Sequence, residues 1–422
     1  MTPPPARVAS IMLSWHSLDL VSCTTLQTLW AGYGHICAIT ARATTDKAAQ
    51  HLDALCGVSA VEPGAAGSTY PLILKLISPP RKSAGNRGED EGHLRKMLSY
   101  EVEQTFYSEI VPLLGDGVAV AKCLASTRDM RDGEGKGEGE LAGLIATVMV
   151  DLRPRFPVEG GKRGVLTRAQ VNGALDWLAG LHRRSWAVLP GGLDGYVLPP
   201  LEEEKRRRES AGGTGLWLNG GYTYLATRRK EYASLVEEAD SEWSEALCGK
   251  ASEDSERSVA ERAALVLTPC GRPIESYIHG DVKSENLFTT ASGDEVAFFD
   301  FQYVGLGLGV CDLAKLFTCS VPLGMLVDDA RGPLPEQLTM RDGEMQLLKR
   351  YRASLLHNSA SDLYKWDTFK RHWETALVDW CRFQASWGFW GNTEWLEARV
   401  RSILSDKDWG DWLQQETRSR DG

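Results

Sequence analysis

HGDVKSENLF, His279 to Phe288, with VAFFDFQ, Val296 to Gln302, is the stretch from which the rest of the chain can be read. Asn286–Thr289 and Val296–Asp300 are two β-type runs separated by the turn-rich Ala291-Ser292-Gly293-Asp294-Glu295, the signature of a hairpin. Folding about Gly293 sets position 286 opposite position 300, since each lies seven residues from that glycine. Paired strand residues have Cβ atoms about 4.5–5.5 Å apart. An amide oxygen from Asn286 and a carboxylate from Asp300 can then share one cation. Oxygen-only ligands suit magnesium, which takes one or two carboxylates together with substrate phosphates. Asp281, ahead of the hairpin, is left to face a substrate.

Composition narrows the setting. The chain has 422 residues, 43% hydrophobic and 25% charged, enough for a sizeable core and two lobes. A net charge of −10 without a Lys/Arg-dominated face argues against a nucleic-acid polymer or an anionic membrane as partner. Nine cysteines, an odd number and without a CxxC pair, fit a reduced intracellular protein whose thiols act as small core residues. No apolar run approaches the roughly 20 residues of a membrane span. MTPPPARVAS lacks a signal-peptide pattern, so a cytoplasmic location is expected.

Upstream, Leu26–Trp30 and Ile36–Ala43 read as strands joined by Ala31-Gly32-Tyr33-Gly34-His35. The two glycines, Gly32 and Gly34, let backbone N–H groups approach a phosphate, or simply make a hairpin turn. Residues 44–69 read as an insertion. Tyr70–Ile77 is an apolar strand interrupted by Lys75, which shares a face with Ile73 and Ile77. After a polar linker at 79–91, a helix is expected from His93 to Leu114, with Glu103 on its apolar stripe beside Tyr100, Phe106, Tyr107 and Ile110. A strand that hides one cation and a helix that hides one anion are reconciled if the two pair, since each alone costs several kcal/mol to bury. The alternative is that Lys75 snorkels and Glu103 frays into water.

Gly117–Ser126 and Leu141–Val150 are expected as further strands, with the charged, glycine-rich 131–140 as an exposed loop between them. Arg153-Pro154-Arg155-Phe156-Pro157 marks a break, giving lobes at 1–152 and 153–422. Beyond it the pattern is helical: Leu166–Trp186, Tyr222–Cys248, Asp254–Leu267, Val310–Cys319, Pro335–His357, Trp366–Trp390 and Thr393–Leu404. His182, alone on an apolar stripe, reads as a hydrogen-bonded core histidine.

A glycine turn, a strand lysine, a helix glutamate, an HxDxKxxN loop and a strand-end aspartate, in this order, resemble the protein-kinase-like fold. The glycine after His279 is similar to the small-molecule branch of that fold, which holds aminoglycoside phosphotransferases, choline kinases and ecdysteroid-kinase-like CHK proteins. Lys75 in LILKL, Glu103 in EVEQTFY, LAGLHRRSW at 178–186 and DFQ at 300–302 carry the likeness, which spans about residues 20–400. It implies an α+β bilobal fold with a small N-terminal antiparallel-sheet lobe, one main helix, and a larger, mostly helical C-terminal lobe. It also implies an ATP- and Mg2+-dependent transfer of phosphate to a hydroxyl of a small metabolite. Asp281 would then act as base or orienter, Lys283 would contact the γ-phosphate and His279 would orient the loop. Asn286 and Asp300 would hold magnesium. Lys75, braced by Glu103, would grip the phosphates, with the glycine turn above them and adenine near Met149 and Asp151. Asp312 would tie the loop to the following helix.

The departures also inform. Phe-Gln follows Asp300 where regulated protein kinases have Phe-Gly, and about nine residues separate Gln302 from Asp312. That gap has no room for a protein-substrate platform. A nucleotide-binding scaffold without turnover is the alternative, and degenerate catalytic residues would favour it. For the acceptor, Val378–Gly391 places Trp380, Phe383, Gln384 and Trp387 on one helical face with Trp390 just beyond. These rings are expected either to wall the acceptor pocket, as a cation–π cage or a stacking surface, or to pack the core.

Overall fold

The computed structural model describes residues 3–57, 64–79, 91–128, 139–210, 212–213, 215–250, 256–327, 332–357 and 361–421. Most of the linker expected at 79–91 and of the loop expected at 131–140 lies outside the described residues. The chain divides into two compact units, Met1–Gly115 with Val120–Arg155, and Asp116–Ala119 with Phe156–Gly422. The expected boundary after residue 152 differs from this division by three residues, and four residues of the N-terminal stretch go with the second unit.

The first unit begins with helix α1 (Pro5–Ser14), strands β1 (Leu18–Thr28) and β2 (Gly34–Ala43), helix α2 (Asp46–Cys56) and strand β3 (Thr69–Ile77). Helix α3 (Glu91–Thr105) runs through a π-helical turn at Phe106–Ile110 into α4 (Val111–Leu114), and β4 (Cys123–Ser126) and β5 (Ile145–Val150) complete the unit. The π turn precedes Pro112, which has no N–H to return to residue 108. The five strands form one antiparallel sheet in the order β1-β2-β3-β5-β4. Central β3 is covered on both faces. Leu72, Leu74 and Leu76 pack with Val8, Met12 and Leu13 of α1, while Ile77 joins Leu29, Tyr33, Tyr100 and Ile145. Each such leucine contributes about 1.5–3 kcal/mol by leaving water.

Beside the main helix α3 this unit carries two shorter ones, α1 and α2, which the sequence reading did not place. Both had a local cause. Val8, Ala9, Met12 and Leu13 make an i, i+3, i+4 stripe. Thr45 caps α2 by accepting from the Ala48 N–H, and Gly57 ends it in the left-handed conformation at φ 66°. The strand expected from Leu26 starts at Leu18, and the strand expected over Gly117–Ser126 is confined to β4.

The second unit holds β6 (Val158–Glu159), α5 (Arg168–Ser185), α6 (Pro200–Glu209), α7 (Arg229–Glu237) and α8 (Val259–Leu267). Strands β7 (Ser276–Ile278), β8 (Leu287–Thr289), β9 (Val296–Phe298) and β10 (Gly305–Gly307) follow, then α9 (Val310–Cys319), α10 (Asp342–Leu355), α11 (Trp366–Trp387), α12 (Thr393–Leu404) and α13 (Lys407–Asp421). Helix α5 starts at a capping box between Thr167 and Gln170. The long helix expected over Tyr222–Cys248 is instead α7 followed by a π-helical turn at Ser244–Cys248. Buried α11 anchors this unit: the Trp373 indole donates to Glu344 (2.8 Å), which also pairs with Arg399 at 2.9 Å.

The hairpin of β8 and β9 forms, but its register corrects the one expected. Leu287 faces Phe298, Phe288 faces Ala297 and Thr289 faces Val296, and the Phe299 N–H donates to Asn286 O at 3.0 Å. Asn286 is thus opposite Phe299, one residue short of Asp300. The turn closes through Thr290 N–H to Glu295 O, so its centre lies ahead of Gly293.

Candidate active site

In the first unit, Lys75 lies on β3 between Ile36 of β2 and Thr147 of β5. Its ammonium is 2.5 Å from the Glu103 carboxylate, with both side chains under 10% exposed. The neighbouring Gln104 amide fastens α3 to the sheet by donating to Ala146 O (3.0 Å) and the Thr127 hydroxyl (3.1 Å). A small hollow is lined by Lys75, Glu103, Thr147 and Met149. Gly34 is demanded by strand pairing: at φ 152° an added Cβ would lie 2.0 Å from Leu76 O. Gly32, at φ 72°, ends a short 3-10 turn that begins at Trp30. That turn is fastened to α3, because the Tyr33 hydroxyl meets His93 Nδ1 at 2.7 Å and Lys96 lies 4.0 Å over the Trp30 ring. The Asp151 carboxylate is engaged by Arg153, through its backbone N–H (3.0 Å) and its guanidinium (2.6 Å).

In the second unit the HGDVKSENLF loop is held from beneath by Asp312 of α9. Its buried carboxylate accepts the N–H of His279 (2.7 Å) and of Gly280 (2.9 Å), and His182 of α5 donates to it through Nε2 (3.2 Å). His182 Nδ1 meets the Tyr351 hydroxyl of α10 at 2.7 Å. Despite complete burial, these partners hold the Asp312 carboxyl below its ordinary range. Gly280 is required at φ 83°, where an added Cβ would lie 2.3 Å from Tyr303 O.

His279 is fully buried and carries a fixed tautomer. Its Nδ1 accepts the Asp281 N–H (3.2 Å), so the proton sits on Nε2, which donates to Phe299 O (3.0 Å). Burial pushes this imidazole below its ordinary value and keeps it neutral, against the pull of Asp312 and Asp281. It braces the loop against the end of β9. The Asn286 amide donates to Asp281 O (2.9 Å) and to Asp281 Oδ2 (3.0 Å), which turns its own Oδ1 away from that carboxylate. Lys283 bridges Asp281 Oδ2 (3.1 Å) and Glu285 (3.0 Å). Burial alone would lower Lys283, but these two carboxylates hold it above its ordinary value. Both donors use Oδ2, and among the described residues Asp281 Oδ1 receives none. Asp300 has left the strand in the left-handed conformation, φ 65°, and accepts from the Gln302 amide at 2.7 Å. A non-glycine residue there is strained, as residues at working sites often are.

A cavity of about 350 Å³ brings Asp281 and Lys283 together with Trp380, Trp387 and Trp390. The rings form an ordered stack. Trp380 lies on Phe383 (centroids 5.4 Å, planes 23° apart) and Phe383 on Trp387 (5.9 Å, 18°), with Trp390 edge-on to Trp380 at 84°. The loop acids and the tryptophan-rich helix end therefore share one space. The sequence reading did not single out Lys315 of α9 or Tyr222, which also line it. Lys315 had a signal: it is the one cation in VCDLAKLFTC, as Lys75 is in LILKL. Lys315 and Trp380 also border a second cavity of about 550 Å³.

Residues 166–353 match the family model of the phosphotransferase enzyme family, APH. The match runs from the start of α5 into α10. It covers HGDVKSENLF, Asp300, Asp312 and Lys315 and stops before α11. Among solved structures the chain is similar to an amicoumacin kinase in complex with AMP-PNP, Ca2+ and Ami, with 13% identity over 94% of this chain and 87% of that one (TM-score 0.38). It is also similar to a macrolide 2'-phosphotransferase from Brachybacterium faecium, with 13% identity over 94% and 97% (0.37). A third is the Plasmodium vivax ethanolamine kinase, with 12% identity over 95% and 82% (0.36). No curated protein matches the chain. The phosphotransferase resemblance drawn from the loop is borne out by the family match.

Proposed function

Starting from a phosphotransferase of the small-molecule kinase branch, we propose that the protein moves the γ-phosphate of ATP to a hydroxyl of a small metabolite. The observation that carries this reading is the orientation of Asp281. Asn286 and Lys283 both bind its Oδ2, and its side chain borders the cavity that holds the three tryptophans. In this reading Oδ1 takes the proton of the acceptor hydroxyl as that oxygen bonds to the γ-phosphorus. The bond to the bridging oxygen breaks, and ADP leaves. Such transfers need positioning and charge neutralisation more than covalent help. Lys283 would steady the γ-phosphate, and Lys75, paired with Glu103, the α- and β-phosphates.

Asn286 and Asp300 fit a magnesium ion by chemistry: an amide oxygen turned away from Asp281 and a carboxylate are the hard oxygen donors it takes. When bound, the ion would neutralise charge on the β- and γ-phosphates. Degenerate catalytic residues would favour a nucleotide-binding scaffold without turnover, and Asp281, Asn286 and Asp300 are all in place.

ADP release should be screened over choline, ethanolamine, aminoglycosides, sterols and hydroxy acids. Asp281→Asn should lower turnover about 10²–10⁴-fold, the usual worth of a positioned base, while a thermal-shift titration still reports nucleotide binding. Full turnover in the variant would overturn the mechanism.

A further inference from the structure

We propose that the acceptor is a flat hydroxy acid whose carboxylate is received by Lys315 and by the indole N–H of Trp380; this rests on the kinase reading above and names its substrate class. Lys315 is only 5% exposed. An ammonium has three N–H donors, and here one goes to Gly280 O at 2.5 Å. Lys75, Arg382 and Arg399, buried as deeply, each have a carboxylate partner. Lys315 has none among the described residues. Asp312, one turn earlier on the same helix, gives its oxygens to His279, Gly280 and His182.

Trp380 is the second observation. It is 4% exposed, lines the same cavity, and its buried Nε1 has no hydrogen-bond partner. An indole N–H can only donate. An ammonium with spare donors and a donor-only indole, 5.9 Å apart from Nζ to ring centroid, call for a group that only accepts. A carboxylate, with two oxygens, answers both.

The cations already present argue against a positively charged acceptor. Lys315 also lies 5.8 Å from the Tyr222 ring centroid, and Arg228 stands 5.0 Å over Trp387 and 5.7 Å over Phe383. Trp380, Trp387, Phe383 and Tyr222 thus each already meet one of the chain's own cations, in the place a quaternary ammonium would take. Around the cavity Lys162 and Arg163 add two more, while Asp281 and Glu285 are both bridged by Lys283. The aromatic walls favour a flat body between the two ends of the ligand.

The test uses para-(hydroxymethyl)benzoate, its methyl ester and choline as probes. Quenching of tryptophan fluorescence reads binding, and ADP release reads turnover. The acid should bind and react at least 10-fold better than the ester, in line with one charge-assisted hydrogen bond. Lys315→Met and, separately, Trp380→Phe should each collapse that acid-over-ester ratio, with the loss for the acid in KM and not in kcat. Lys315→Arg should restore part of it. An acid that binds no better than its ester, or a preference for choline, overturns the inference, and the binding titration decides this even without turnover. Acid-selective binding with no Asp281-dependent ADP release would overturn the kinase reading instead.

Discussion

The two charge arrangements of this protein are built in opposite ways. In the first unit a strand and a helix are joined by a buried ion pair, Lys75–Glu103. In the second, the catalytic-type loop rests on a web in which α5, α9, α10 and the end of β9 each supply a group, through His182, Asp312, Tyr351 and Phe299 O. In a pair each charge directly offsets the other's lost hydration, so removing one member leaves the other's charge buried. A web spreads that compensation, so a single conservative change leaves most of it in place.

The pair should therefore be the more brittle of the two. Removing one partner from a buried ion pair strands a charge, at a cost of about 3–5 kcal/mol, whereas replacing both by apolar residues of similar volume is often neutral or stabilising. Glu103→Leu should lower the denaturation midpoint sharply, and Lys75→Met with Glu103→Leu should recover it while abolishing nucleotide binding. Urea unfolding of the single and double variants measures this. Equal midpoints for the two would mean that the pair is not compensating in the way its geometry indicates.

The contrast sharpens at Asp312. Asp312→Asn keeps one carbonyl acceptor; placed where it still serves His279 N–H and His182, it leaves the Gly280 N–H without a partner. A single unsatisfied buried donor costs about 1–3 kcal/mol. The stability loss should be smaller than for Glu103→Leu, with the greater effect on turnover because the loop is displaced. A loss as large as the pair's, in the same urea assay, would show that the web acts as one unit.

Much of this was readable in the sequence because the information was local. Strand alternation singles out Lys75, helix periodicity singles out Glu103, and the loop spacing names Asp281, Asn286 and Asp300. The register slip shows where local reading stops. Symmetry about Gly293 predicts the pair 286–300, but the Thr290–Glu295 closure shifts it by one, and Asp300 then escapes the strand through a positive φ. Helix α2 carries a readable Thr45 cap inside the 44–69 stretch that reads as an insertion. Joining His182, Asp312 and Tyr351, or the cavity shared by Lys315 and Trp380, needs contacts between residues far apart in sequence, which no period or spacing encodes.

Acid offers the gentlest way to probe the second unit. Burial lowers His279, and burial with nearby Arg272 and Arg420 pushes His372, whose Nδ1 meets the Tyr364 hydroxyl, down to about 3. A histidine whose folded value lies below its unfolded value, about 6.5, stays neutral in the native state while the unfolded chain takes up a proton. The unfolded state then binds more protons, so stability is full above pH 6.5 and falls as pH drops below it. The slope approaches about 1.4 kcal/mol per pH unit for each such histidine. Between pH 7.5 and 5.5 His372 should therefore remove about 1.4 kcal/mol, and His372→Gln should flatten that part of the profile. Urea midpoints of both proteins at the two pH values check it. An unchanged slope in the variant would mean that His372 is protonated within the fold, with Tyr364 accepting rather than donating.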